Sequence, residues 1–233
     1  MATDPASRQL KLRTDALHRR LDSCTKMRIL MSPALDINLY AEILSYNAVA
    51  WSVCERPLLS FRSQAGQVPA WFDSALLAMS GLIEQDQETL GDPHQPVEKA
   101  NTEALDIDPS DPAQIAGLCY VLSGSGLGSR VILKRLQRHQ DARIGHATAH
   151  LRLSAENSRR WPSIVAALDN ALADVSSRNA AIRAARSTFE LWLRIMQSDC
   201  TALEQGACAV TEPANLVTEN RVRNARADNK FLG

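Results

Sequence analysis

The period of the apolar residues is the feature that most limits what this chain can fold into. Leu10, Leu17 and Leu21 fall on one face of a helix, with Thr14 and His18 beside them. Ile37, Tyr40, Ile43, Leu44 and Val49 repeat the pattern, and so do Ile182, Phe189, Trp192 and Ile195. Two-residue alternation, which would mark half-buried strands, is nearly absent. Aromatic residues are only 5 % of the chain, while Ala, Leu and Arg recur throughout, a mixture that favours helix over strand. A length of 233 residues allows one substantial core without disulfides or metals. The expected fold class is therefore all-α: a single domain of several helices around one core.

Caps and breakers divide the chain. Asp4-Pro5 places a capping carboxylate before a proline at the first helical position. Met31 to Leu35 contains a proline and breaks that first helix. Asp36 can cap a second, running toward Trp51, which Pro57 should kink or end. Pro69 opens a third through Trp71, Phe72, Leu76, Leu77, Leu82 and Ile83, stopped by Gly91. Residues 91 to 112, with Pro93, Pro96, Pro109 and Pro112, read as a long surface loop. Asp111-Pro112 starts a fourth helix carrying Ile115, Leu118, Val121 and Leu122 and, past a glycine cluster, Val131 to Leu136. A fifth begins near Ser154 and includes Trp161, Ile164, Val165 and Leu168. A last one runs from about Ser177 through Ile195. The expected domain spans residues 1–208, and residues 209–233 form a polar, flexible tail.

Charge and cysteine usage exclude several classes. Twenty-six basic and 26 acidic residues cancel, so nothing electrostatic points to nucleic acid or an anionic membrane. No apolar run is long enough to span a bilayer, and no apolar segment follows the first charges as in a secretory signal. The five cysteines are scattered and never form a CxxC pair, which favours reduced thiols in a cytoplasm over a disulfide framework or a zinc site.

Gly124-Ser125-Gly126-Leu127-Gly128 interrupts a strongly apolar segment. Each helical glycine costs about 1 kcal/mol relative to alanine, so three in five positions need a reason. A dinucleotide-binding turn is one, although Ser129 stands where the third glycine of GxGxxG belongs. Close approach of another helix, or a change of helix, is the second. The third is a flat ligand against bare backbone, because Gly124 and Gly128 share one helix face. Lys11, Thr14 and His18 share a side of the first helix, but a lone histidine among leucines is usually a boundary residue. His139, His146 and His150 read as a solvated face, and Glu84, Asp86 and Glu88 as surface charge. Asp15 and Arg19 form a surface pair. Cys119 and the four tryptophans read as core.

Two stretches together resemble a family. LKLRTDALHRRLD, residues 10 to 22, is similar to the N-terminal motif of heme oxygenases, L-x-x-x-T-x-x-x-H followed by an acidic residue. GLCYVLSGSGLGSRVI, residues 117 to 132, resembles the distal-helix motif of their bacterial, biliverdin-producing branch, Y-x-x-E-G-S-x-L-G. RRWPSIVAALD (159 to 169) and STFELWL (187 to 193) also look similar. The resemblance implies an all-α heme oxygenase fold and His18 as the axial ligand to heme iron. It places Gly124 and Gly128 against heme and the oxygen site, and Ser125 beside bound oxygen or its water. Thr14 belongs to the heme-binding helix face. Lys11 and Tyr120, with Arg160 from a later helix, would approach the heme propionates. Ser123 stands where the branch has Glu, and Ser129 where it has a small Gly or Ala.

The activity implied is cleavage of heme, both cofactor and substrate, with O2 and electrons to biliverdin, carbon monoxide and ferrous iron. Electrons would come from an external ferredoxin or reductase, and a bilin-binding photoreceptor is one acceptor of the product. The alternatives are a non-catalytic heme sensor or carrier of the same fold, motivated by Ser123, and a helical interaction module without heme.

Overall fold

Aspartates start many of the helices in the computed structural model, which describes residues 4–91 and 105–198. The carboxylate of Asp36 accepts from the backbone N–H of Leu39 at the start of α3 (Ile37–Gln64). Asp111 caps α5 (Pro112–Gly124), with Pro112 in its first turn, and Asp174 caps α10 (Val175–Gln197) through the N–H of Ser177. α1 (Ala6–Asp22) begins differently from expectation. Pro5 precedes it without a side-chain cap, and the Asp4 carboxylate pairs instead with Arg8 at 2.7 Å, one turn on. Gly91, at φ 82°, ends α4 (Met79–Leu90) in the left-handed conformation that glycine adopts without strain.

The remaining helices are α2 (Thr25–Leu30), α6 (Gly126–Leu136), α7 (Ala142–His146), α8 (Ala149–Asn157) and α9 (Trp161–Ala171). No strand occurs among the described residues, and the fold is all-α. α5 is the central element: Ile115, Leu118, Cys119 and Leu122 are all at most 2 % exposed. It packs on α10 so closely that a Cβ on Gly117 would lie 2.1 Å from the carbonyl oxygen of Ala181. α1 lies on α10 and α9, α4 on α3, and α6 on α8. Residues 112–136 together are long and apolar enough to cross a bilayer by length and composition, longer than any run the sequence pattern marks out; here the α5 half is enclosed by protein.

The structure moves several expected boundaries. α3 does not end at Pro57 but continues for another two turns. An interior proline costs about 3 kcal/mol. Val53, Cys54, Leu58 and Phe61, all buried around it, each return roughly 1.5–3 kcal/mol, so burial wins. Pro69 does not open a helix. Trp71 and Phe72 sit in irregular backbone, packed on Phe61 at ring-centroid distances of 5.8 and 5.6 Å, and a 3-10 turn (Ser74–Ala78), capped by Asp73, precedes α4. The fifth helix is two, α8 and α9, joined by a 3-10 turn at Ser158–Arg160. Pro162 in the first turn of α9 marks the restart. The expected first helix, broken only at Met31–Leu35, is two, α1 and α2, and α7 is a short helix between the expected fourth and fifth. Residues 92–104 of the expected loop, and the 209–233 tail with the end of the 1–208 domain, lie outside the described residues; within the described part of that loop, Ile107 is buried rather than on the surface.

Candidate functional site

The helical repeat of α1 turns Lys11, Thr14, His18 and Asp22 toward a cavity of about 600 Å³. Thr14 is buried, and its hydroxyl donates to the Leu10 carbonyl oxygen at 2.8 Å, which leaves the chain's polar needs met within the helix. His18 is held from two directions. Its Nδ1 lies 2.9 Å from the Asp22 carboxylate one turn later, and its ring meets Phe189 of α10 edge-on at 5.7 Å. A carboxylate beside Nδ1 favours the tautomer protonated there, which leaves the Nε2 lone pair for a metal. The side chain is 58 % exposed, so the lone pair is reachable.

The α5–α6 junction forms another wall. The helix changes at Ser125, whose hydroxyl donates to the Leu122 carbonyl oxygen at 2.7 Å. The three glycines divide between two purposes. Gly126 turns away from the cavity against α8, where a Cβ would lie 2.6 Å from the Ser154 carbonyl oxygen. Gly124 and Gly128 line the cavity; a Cβ on Gly128 would meet nothing within 4 Å, and one on Gly124 would meet only the Trp161 ring, at 3.2 Å. Close helix approach thus accounts for Gly126, and Gly124 and Gly128 leave bare backbone on the cavity wall. No strand precedes the cluster, which removes the dinucleotide-binding reading. Ser129 is buried, its hydroxyl 3.0 Å from that of Ser154. The hydroxyl of Ser123 is buried without a partner.

Apolar side chains complete the enclosure. Trp51 and Trp192 meet edge-on at 5.8 Å, and Met79, Leu122, Ile132 and Leu151 fill between. Tyr120 also lines the cavity, with its ring against Trp161 at 5.4 Å; burial pushes its phenol up to about 12, so it stays protonated. Of the tryptophans expected in the core, Trp51, Trp161 and Trp192 are also cavity wall. The cavity therefore gathers Lys11, Thr14, His18, Tyr120, Gly124, Ser125 and Gly128. Arg160 is not among its lining residues. Its guanidinium lies 3.0 Å from the carboxylate of Asp73, which is 1 % exposed. Cys119 is fully enclosed in the core, where burial pushes its thiol up. Asp15 and Arg19 form the expected surface pair.

Two expectations reverse. Asp86 is not surface charge and His150 is not on a solvated face. They are 1 % and 6 % exposed and lie 2.6 Å apart between α4 and α8, and His150 lines the cavity. Their separation of 64 residues leaves no spacing signal by which to pair them.

The exposed imidazole of His18, bare backbone at Gly124 and Gly128, and largely apolar walls suit an iron macrocycle: an axial donor, a flat surface and little competing polarity. The heme oxygenase family model matches residues 4–198. The chain belongs to the heme oxygenase family. A heme oxygenase of Xanthomonas campestris pv. campestris (strain 8004) is 31 % identical over 109 residues, which cover 46 % of this chain and 60 % of that protein. The match thus spans about three fifths of the relative's length. The NO- and CO-bound heme oxygenase of Neisseria meningitidis shares the fold, with a TM-score of 0.57 and 17 % identity over 83 % of this chain and 91 % of that one.

Proposed function

We propose that this protein is a heme oxygenase enzyme that takes heme into the cavity and cleaves it to biliverdin, carbon monoxide and ferrous iron. The observation that carries the reading is the His18–Asp22 pair on one wall and the bare Gly124–Gly128 face on another. When bound, heme supplies both the iron that activates O2 and the ring that is cleaved.

The chain's own residues supply placement. His18 presents Nε2 while the Asp22 carboxylate beside Nδ1 orients the ring. Gly124 and Gly128 leave room for a planar ring and a small diatomic against the helix, and set the approach by shape. Ser125 is held to Leu122 through its hydroxyl hydrogen, so its oxygen is free to accept from ordered water. Thr14 packs beside His18, and Lys11 offers an ammonium to a propionate at the open edge. The protonated Tyr120 hydroxyl offers a neutral hydrogen bond to a propionate. Arg160 is left out of this reading because its guanidinium already offsets the buried Asp73 carboxylate. Trp51, Trp192 and Leu122 exclude bulk water, which strengthens each polar contact inside. Electrons would arrive from an external ferredoxin or reductase in the cytoplasm, and a bilin-binding photoreceptor is one fitting acceptor of the product.

The test is a single turnover. Heme is added to the protein, a reductant is supplied in air with catalase present, and the Soret band is followed. Loss of the band with biliverdin appearing supports the reading. A stable complex that does not convert makes the protein a heme binder, and absence of a complex removes heme altogether.

A further inference from the structure

A second imidazole in the cavity wall is unused by the reading above. His150, the second residue of α8, has Nδ1 2.6 Å from Oδ2 of Asp86. The same carboxylate accepts the backbone N–H groups of Ala149 at 2.7 Å and His150 at 3.1 Å. Asp86 of α4 thereby caps α8, since the side chain of Thr148 makes no cap of its own. Three N–H donors on one carboxylate place the ring proton on Nδ1 and leave Nε2 as an acceptor. Among the described residues Nε2 has no hydrogen-bond partner. Its polar neighbours on this wall are committed elsewhere. The Tyr40 hydroxyl donates to the Ala147 carbonyl oxygen at 2.6 Å, and Ser154 pairs with Ser129.

We propose that His150, held by Asp86, receives and returns a proton through Nε2 for water in the cavity; this rests on the heme oxygenase reading. In the step, the Nε2–H bond of an imidazolium breaks and its electron pair stays on the ring. The proton passes to a cavity water, and that water's own proton goes on to the oxygen substrate. Asp86 keeps hold of Nδ1–H throughout, and a solvent proton restores Nε2–H. The charge balance is local: Asp86 on α4 faces the ring, and the Tyr40 phenol on α3 is kept protonated by burial first and by Asp86 second. The other ionisable groups of the cavity are Lys11, Asp15, His18 and Asp22 on α1 and Tyr120 on α5; α6 contributes none.

The experiment has two arms. Nitrogen-15 NMR of histidine-labelled, ligand-free protein should show His150 protonated at Nδ1 in the neutral ring, with Asp86→Asn altering that signature. In the ferric heme complex, His150→Gln keeps the backbone N–H to Asp86. It should move the midpoint of the pH-dependent spectral transition by at least about half a unit and slow single turnover by about tenfold or more, with heme affinity unchanged. A neutral ring protonated at Nε2 rather than Nδ1 overturns the proposal. So does a His150→Gln complex whose spectral midpoint and turnover match the wild type. A wild-type chain that forms no heme complex overturns the heme reading and this proposal with it, whereas a normal complex indifferent to His150 overturns this proposal alone.

Discussion

In the proposed site His18 and Asp22 work together, since a carboxylate at one ring nitrogen orients the other toward a metal. His18→Ala should abolish the ferric spectrum of an imidazole-ligated heme while leaving the helical circular dichroism intact. An unchanged spectrum would remove His18 from its role. Asp22→Asn keeps the size but loses the charge, and should weaken heme affinity by about 10–100-fold in a titration. The glycines separate more sharply. Gly128→Ala adds a methyl to open space in a helix, so the ligand-free protein should gain up to about 1 kcal/mol in denaturant unfolding. The same methyl should lower heme affinity. Gly126→Ala should instead lose about 1–3 kcal/mol, since its Cβ meets a carbonyl oxygen of α8. Equal effects at the two positions would contradict this division. His18, Gly124 and Gly128 were legible in the sequence because each lies in a local motif. Asp86 and His150 were not, because burial of a charged pair is decided by packing between α4 and α8 rather than by either segment's composition.

Elements show where local rules prevail and where tertiary contacts override them. Asp36, Asp111 and Asp174 begin helices as their sequence context requires, because a cap is made within three residues. Pro57 does not end its helix and Pro69 does not start one, for opposite reasons. Around Pro57 the buried faces of α3 outweigh the missing hydrogen bond, while beyond Pro69 the burial of Trp71 and Phe72 against Phe61 keeps the backbone irregular. Neither outcome is a property of the segment alone. Asp174 supports a prediction about acid. Hydrogen bonds from Ser177, first from its side chain and then its backbone, hold the carboxyl below its ordinary value of 3.8. A depressed folded value means that the contribution is fully present above the ordinary value and is lost as pH falls through the folded one. Asp174→Ala should therefore lower Tm at pH 7, and the difference from wild type should shrink toward zero by about pH 2. A constant difference across that range would show that the residue acts without its charge.

At the scale of the molecule, the cavity sits where the helical packing is least direct. α1 and α5 both pack on α10 and α9 but hardly on each other, and α6 is tied to α8, so His18 and the glycine face reach the same space from elements that scarcely touch directly. A ligand that bonds to His18 and lies on Gly124 and Gly128 adds a connection that the protein alone does not make. Binding to the folded state must stabilise it, by about 2.7 kcal/mol when ligand stands at 100 times its dissociation constant. The geometry says where that stabilisation should be felt locally. Hydrogen exchange with and without ferric heme should show the largest gain of protection at residues 11–22 and 124–132, with little change in the α5–α10 contact around Gly117 and Ala181, which is already closed backbone to backbone. His18→Ala should erase the gain in α1 and leave a smaller one at 124–132, because stacking on the glycine face does not require the axial bond. Uniform protection over all helices would mean that heme stabilises the fold only globally, and gain confined to α8 and α9 would place the ligand on a different wall.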